Sequence, residues 1–158
     1  MSVHVRSATK EDYASLLPIA RETQEKHVDG MPRIFQKGTA GLPEEYYLGI
    51  LKSGSKVVYV AESEQNIVGY AIMELSKDSY LDILVPRKVA FIVDIAVLKS
   101  EQGKGIGFAL FQQCVEWAKA KGADSLDLMV WEFNKAAIAF YERQGMQAVH
   151  RTMSLELQ

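Results

Sequence analysis

A mixed α/β fold is predicted by three features of this 158-residue chain. Strand-like and helix-like periodicities alternate along it. No segment repeats another and no tract is of low complexity, which sets aside solenoids and disordered tails. The length admits one compact core and is short for two, so residues 1–158 are read as a single domain.

Taken in order, Val3-His4-Val5-Arg6 alternates as a half-buried first strand. Thr9 is placed to cap a helix over residues 10–27, whose Leu16, Ile19, Ala20 and Thr23 share one face. Residues 30–43 break the pattern, with prolines 32 and 43, three glycines and Lys37 around the isolated apolar Met31, Ile34 and Phe35. A loop of this length is either a substrate-facing segment or lid, or a plain connector. A short helix is expected over residues 43–52, followed by antiparallel strands over 56–63 and 67–75. Gln65-Asn66 is expected to turn between them, because Asn tolerates the positive φ of tight hairpins. A strand over residues 88–97 leads into a glycine-rich loop and a helix over 105–121 that ends at Gly122. Ile106, Leu110, Cys114 and Trp117 repeat there at helical spacing, and Phe111 and Val115 widen the apolar stripe. A strand over 125–131 and a helix over 134–143, stopped by Gly145, come next. Residues 146–157 read as one long strand or a hairpin.

Composition narrows the function classes. Lys and Arg total 18 against 20 Asp and Glu, a balance of −2 that offers no general attraction to nucleic acid or anionic lipid. The single cysteine, Cys114, excludes an internal disulfide framework, and the opening residues lack an apolar export region, so the expected compartment is the cytoplasm. The apolar run at 89–98 is interrupted by Asp94 and is far shorter than the ~20 residues that span a bilayer. His4, His27 and His150 are scattered, and no metal site is expected.

The chemistry concentrates in Gln102-Gly103-Lys104-Gly105-Ile106-Gly107. Glycines between a strand and a helix let the backbone approach an anion closely, where unpaired N–H groups and the helix dipole favour negative charge. The loop therefore reads as a diphosphate cradle, against the alternative of a glycine-rich turn with no ligand. A dinucleotide fingerprint would need glycine where Phe108 stands, and no G-x-x-x-x-G-K-[ST] string occurs, so NAD binding and nucleotide hydrolysis are disfavoured.

Gln102-x-x-Gly105-x-Gly107 resembles the [R/Q]-x-x-G-x-[G/A] signature of the GNAT superfamily of acetyl-CoA-dependent N-acetyltransferases. The likeness extends to Ala90-Phe91-Ile92-Val93-Asp94-Ile95-Ala96-Val97, which looks like that family's fourth strand. It also includes residues 134–146, similar to its N-x-x-A-x-x-F-Y-x-x-x-G-F segment with Met146 in place of Phe, and the opening residues 5–12. Only residues 30–43 lack the family's pattern. The resemblance implies a central, mostly antiparallel twisted sheet of six to seven strands flanked by about four helices. Strands 4 and 5 of that sheet would be parallel and splay apart between residues 94–97 and 126–130.

It further implies that acetyl-CoA is the co-substrate and that the acceptor is a small-molecule or peptide amine. Cofactor contacts would come from Ile95, Ala96 and Val97 along the strand, from residues 102–107 including Lys104 and Ile106, and from Asn134 and Ala137. Ile95 and Val97 read equally as ordinary core, and Asn134 reads equally as a helix cap. An N–H near Ile95 would meet the oxyanion that develops during amine attack. Tyr141 matches the family's tyrosine and would protonate the departing sulfur, although from spacing alone it is a buried aromatic. Asp94 is the leading candidate base, its alternatives being to hold a substrate ammonium or a backbone turn. Histone-acetylating relatives carry a glutamate where Phe91 stands here, a departure from their variant; Glu62 and Glu74 are weaker alternatives. Arg33, Ile34 and Phe35 would suit a substrate with acidic and apolar parts. Many relatives dimerise, which admits a homodimer. The competing function class is a non-catalytic acyl-CoA-binding or partner-binding module on the same fold.

Overall fold

The computed structural model describes residues 2–76 and 82–158. Strands β1 (Val3–Ser7), β2 (Lys56–Ser63), β3 (Asn66–Leu75), β4 (Val89–Val97) and β5 (Ser125–Leu128) form one sheet in sequence order. The first three pairings are antiparallel and β4 runs parallel to β5. Helices α1 (Tyr13–Gly30) and α2 (Glu44–Leu51) cover one face. Helix α3 (Ile106–Ala120) covers the other, joined there by Phe140 and Tyr141 of α4 (Lys135–Arg143).

Alternation assigns the side chains to these faces. On the α1/α2 face, Val58, Val60, Tyr70 and Ile72 pack under Leu16, Ile19 and Tyr47. On the α3 face, Ala61, Ala71, Met73 and Ile92 meet the stripe of Ile106, Leu110, Phe111, Cys114 and Trp117 that helical spacing predicts. The Tyr47 hydroxyl donates to the Thr9 carbonyl, tying α2 to the turn after β1. The helix start at Thr9 differs from expectation. Residues Lys10–Asp12 form a 3-10 turn, and the Asp12 carboxylate reaches back to accept from the Thr9 N–H (2.8 Å) and hydroxyl (3.2 Å). Arg6 then clamps Asp12 and Glu62 together, with N–O distances of 2.8 Å and 2.7 Å.

Three boundaries move. The β2–β3 turn lies one residue early, on Glu64 and Gln65, whose φ values of 51° and 67° supply the two positive angles that a tight hairpin demands. Asn66 opens β3 instead, and its side-chain amide donates to the Glu64 carbonyl at 3.1 Å. Strand β5 ends at Leu128 rather than Trp131 because its partner leaves it there. Residues 146–157 form no strand, so the described residues contain five strands rather than six to seven. That segment has the alternation of a strand but no neighbouring backbone pairs with it.

A bulge in β4 sets the geometry of everything that follows. Ile72 pairs with Asp94 and Met73 with Ile92, leaving Val93 as an extra residue. Ile92 faces α3, Val93 and Asp94 both face α1, and Ile95 returns to the α3 side. A bulge re-aims side chains in this way because one surplus residue shifts the twofold alternation. Asp94 would otherwise point at α3.

Candidate functional site

The loop from Leu98 to α3 presents open backbone donors at a helix start. Gly103 and Gly105 adopt φ of 79° and 85°, a left-handed conformation that strains any residue with a Cβ. A Cβ at either position would have no atom within 4 Å, so the space in front of them is open. Among the described residues, the amides of residues 103–108 find no protein acceptor, and the first helical bond runs from the Ala109 N–H to the Gly105 carbonyl at 3.0 Å. Unsatisfied donors at a helix start, facing open space, fit a diphosphate. Gln102 acts as a strut: its side-chain amide donates to the Val97 carbonyl at 3.2 Å, fixing the loop to the end of β4. Lys104 is held by Glu101 at 3.0 Å. Gly107 lies inside the helix, with Val97 and Phe140 at 3.9 Å from an added Cβ, so alanine would fit there.

The splay between the parallel strands begins at the bulge. Pairing runs from Val89↔Ser125 to Ile92↔Leu128 and then stops. The opening thus lies between residues 93–97 and 129–131, higher than the expected 94–97 against 126–130, since Leu126 and Leu128 are still paired. The edge of β4 over Ile95, Ala96 and Val97 is therefore without a strand partner on that side, which suits an extended amide chain. Ile95 and Val97 also pack on the α3-side core, and Ala96 is buried on the other face, so the core reading of these residues holds as well.

On the α1 face a cavity of about 380 Å³ opens against the bulge. Ala20, Thr23 and His27 of α1, Leu42 and Tyr46 wall it, and Val93 and Asp94 form its β4 side. The 31–43 loop is anchored to α1: Leu42 is buried, its carbonyl accepts from the Tyr13 hydroxyl at 2.7 Å, and the Gln36 carbonyl accepts from Gln24 at 2.9 Å. It is a wall of the cavity rather than a loose connector.

Asp94 is the polar centre of this cavity. Its carboxylate accepts from the buried Tyr70 hydroxyl at 2.6 Å. Burial raises its pKa, opposed by the Tyr70 hydrogen bond, the nearby His27 and the Ile95 N–H. Tyr70 is pushed up by burial and by the Asp94 charge. His27 is driven below the ordinary histidine value, chiefly by burial, with Asp94 pulling the other way. A lowered pKa leaves the imidazole neutral and able to accept a proton near neutrality.

Aromatic packing holds His27. Phe35 stacks on it with ring centres 4.7 Å apart, Phe133 meets it edge-on at 5.9 Å, and Trp131 meets Phe35 at 5.1 Å. The loop following β5 is thereby fastened to the end of α1. The approach is close: a Cβ on Gly30 would lie 2.4 Å from the Phe133 ring.

The remaining expected site residues scatter. Tyr141 packs against Phe140 and Phe111, and its hydroxyl makes no hydrogen bond among the described residues. Burial first, then the Asp94 charge, lifts it to about 12, so it stays protonated as a donor must. Asn134 caps α4, its Oδ1 accepting from the Ala137 N–H at 3.2 Å, so these two engage each other. Phe35 supports the cavity through His27, whereas Ile34 is exposed and Arg33 pairs with Glu156 away from the wall. Glu62 belongs to the Arg6 clamp, and Glu74 approaches Lys56 at 3.8 Å. Sequence reading missed His27 and Tyr70. His27 continues the stripe Leu16, Ile19, Ala20, Thr23 by one turn, a signal that was present; Tyr70 meets Asp94 only through the bulge, and no local pattern announces that. Among the described residues no metal-ligating cluster of three or more side chains occurs, and no helix is long and apolar enough to cross a membrane.

Comparison with known proteins gives matches along most of the chain. A profile of the Acetyltransferase (GNAT) family matches residues 20–146. An uncharacterized N-acetyltransferase of Methanocaldococcus jannaschii is 29% identical over 143 residues; the match covers 90% of this chain but only 60% of that protein. Streptothricin acetyltransferase A of Bacillus subtilis is 31% identical over 88 residues, covering 56% of this chain and 46% of that one. The crystal structure of a mutant of the Bacillus halodurans protein BH1408 superposes with a TM-score of 0.94 at 29% identity, covering 98% of this chain and 99% of its own.

Proposed function

Because the chain belongs to the Acetyltransferase (GNAT) family, we propose that it transfers the acetyl group of acetyl-CoA to a primary amine lodged in the cavity beside Asp94. The observation that carries this reading is the run of unpartnered amides over residues 103–108, opening onto space that no side chain fills. A diphosphate there would receive several N–H bonds at once at the positive end of α3. Acetyl-CoA supplies an activated acyl carbonyl, and direct attack by the amine completes the transfer without a covalent enzyme species.

The protein's own groups divide the remaining work. The unpaired edge of β4 over Ile95, Ala96 and Val97 aligns the extended arm by main-chain bonds. Asp94 attracts the acceptor's ammonium, and Tyr70 fixes that carboxylate in place. An amine attacks only after losing a proton, which costs roughly 4–5 kcal/mol at pH 7 for a lysine-like amine and about 1 kcal/mol for an α-amino group. His27, neutral and on the same cavity wall, accepts that proton. Tyr141, still protonated, donates one to the departing sulfur. The glycine loop and Tyr141 lie on the α3 side of the sheet and the cavity on the α1 side, with the splayed end of β4 between them.

A small cationic acceptor fits best, since the cavity is about 380 Å³ and carries Asp94 in its wall. The streptothricin-acetylating relative supports an amine of that kind. Thiol release from acetyl-CoA across a panel of polyamines, aminoglycosides, streptothricin-like antibiotics and peptide N-termini tests it. Turnover of at least one amine well above the hydrolysis background is expected. Tight binding of coenzyme A with no release for any amine would refute transfer and favour a binding module.

A further inference from the structure

We propose that Glu22 of α1 is a positioning residue for acetyl-CoA: its carboxylate caps the turn that aims the amides of residues 103–108, and so sets the affinity for the diphosphate. This role rests on the acyl-transfer reading, since it needs a diphosphate in the loop. The observation that carries it is a hydrogen bond between residues 77 positions apart, in which the Lys99 N–H donates to Glu22 Oε2 at 2.7 Å. Residues Lys99–Glu101 form a 3-10 turn between the end of β4 and the glycines. The first amides of a helical turn lack a partner within it, and the residue at the cap position ordinarily supplies an oxygen. Leu98 stands there and has no side-chain oxygen to give. It is committed elsewhere: its side chain packs against the cores on both faces of the sheet, and its N–H donates to the Val68 carbonyl at 2.9 Å. The cap therefore comes from another element, and a carboxylate makes it a charge-assisted bond.

The direction of this turn matters because the cradle follows it at once. Gln102 closes the turn, its N–H on the Lys99 carbonyl at 3.4 Å and its side chain on the Val97 carbonyl, and left-handed Gly103 and Gly105 come directly after. Three successive residues are thus held from three directions: Val97 by the loop itself, Leu98 by β3 and Lys99 by α1. Several amides have to converge on one diphosphate, so a small displacement of the turn weakens them together. The choice of α1 as the source of the cap has a second effect. Thr23 and His27, on the same helix, wall the acceptor cavity, so Glu22 joins that wall to the loop that receives the cofactor. Glu25, about one turn further along α1, is exposed and makes no hydrogen bond among the described residues, which makes it the matched control for a lost surface carboxylate.

Isothermal titration calorimetry with coenzyme A on the full chain tests this. Glu22→Ala should bind about fivefold more weakly than wild type, the usual effect of losing a cap. Glu22→Gln keeps an oxygen for the Lys99 N–H and should stay within about twofold, as should Glu25→Ala. Pantetheine, which lacks the diphosphate, separates positioning of the loop from a general loosening of the fold: titrated at millimolar concentration by NMR, it should bind Glu22→Ala as it binds wild type. Glu22→Ala binding coenzyme A as wild type does, a Gln variant no better than the Ala variant, or an equal loss for pantetheine would overturn the proposal and leave the acyl-transfer reading standing. A wild-type protein that takes up no coenzyme A would end both.

Discussion

Replacing Gly105 with aspartate separates the loop's conformational demand from its charge demand. At φ of 85° a residue with a Cβ pays about 1–2 kcal/mol, a Tm loss of roughly 2–8 °C for a chain of this size. No neighbouring atom lies within 4 Å, so no clash adds to it. The charge demand can be gauged from a carboxylate and a phosphate about 5 Å apart. At an effective dielectric of 20 each unit of charge then costs about 3 kcal/mol, a loss of roughly 150-fold in affinity for coenzyme A. Gly107→Ala is the control: its Cβ would make ordinary contacts at 3.9 Å, and binding should stay within about twofold. Isothermal titration calorimetry with coenzyme A reads both variants, with thermal melts reporting the fold. If Gly105→Asp binds within threefold of wild type, the amides of residues 103–108 do not hold a diphosphate.

Four further outcomes follow from the geometry. Tyr141→Phe should lower kcat by about 100- to 10,000-fold and leave the affinity for coenzyme A unchanged; an unaltered kcat would remove the tyrosine from proton transfer. His27→Gln should flatten the acidic limb of the kcat/KM profile, which lies below the ordinary histidine value of 6.5 because burial depresses His27, while Asp94→Asn should chiefly raise KM for cationic acceptors; the reverse pattern would exchange their roles. Asp12 titrates at about 2 instead of 3.8, so its contribution is complete above pH 4 and is lost as pH falls through 2. Asp12→Asn should therefore cost about 1–2 kcal/mol at pH 7, discounted for solvent screening, and flatten the stability curve between pH 4 and 2, measured by urea unfolding. Gly30→Ala, with a Cβ 2.4 Å from Phe133, should expel that ring and lower stability by about 1–3 kcal/mol, with a raised KM for the acceptor as the second readout.

Local patterns foretold much of this architecture. The α3 stripe, the glycine loop and the alternating strands are short-range signals, and Ile106, Leu110 and Trp117 lie buried as their spacing required. What escaped depends on long-range pairing. The bulge at Val93 exists only in relation to β3, so neither the direction of Asp94 nor its bond to Tyr70 can be read along the chain. The expected final strand failed for a related reason: alternation describes a strand's faces, while hydrogen bonding needs a neighbour, and residues 146–157 have none among the described residues. Arg33 shows a third limit, since a cation in a loop is equally ready to meet a distant Glu156.

The surplus residue in β4 also gives the strand a reading phase. Substituting Val93 or Asp94 would alter what the acceptor chamber admits while the diphosphate cradle is left alone. Deleting Val93 would remove the bulge and let Ile92 and Asp94 alternate regularly, so that Asp94 keeps the α1 side and Ile95 the α3 side while the chamber loses one residue of its lining. Acceptor preference in such a protein can drift by point changes on one side of a single strand, or by loss of its one surplus residue, while the opposite face keeps its lining.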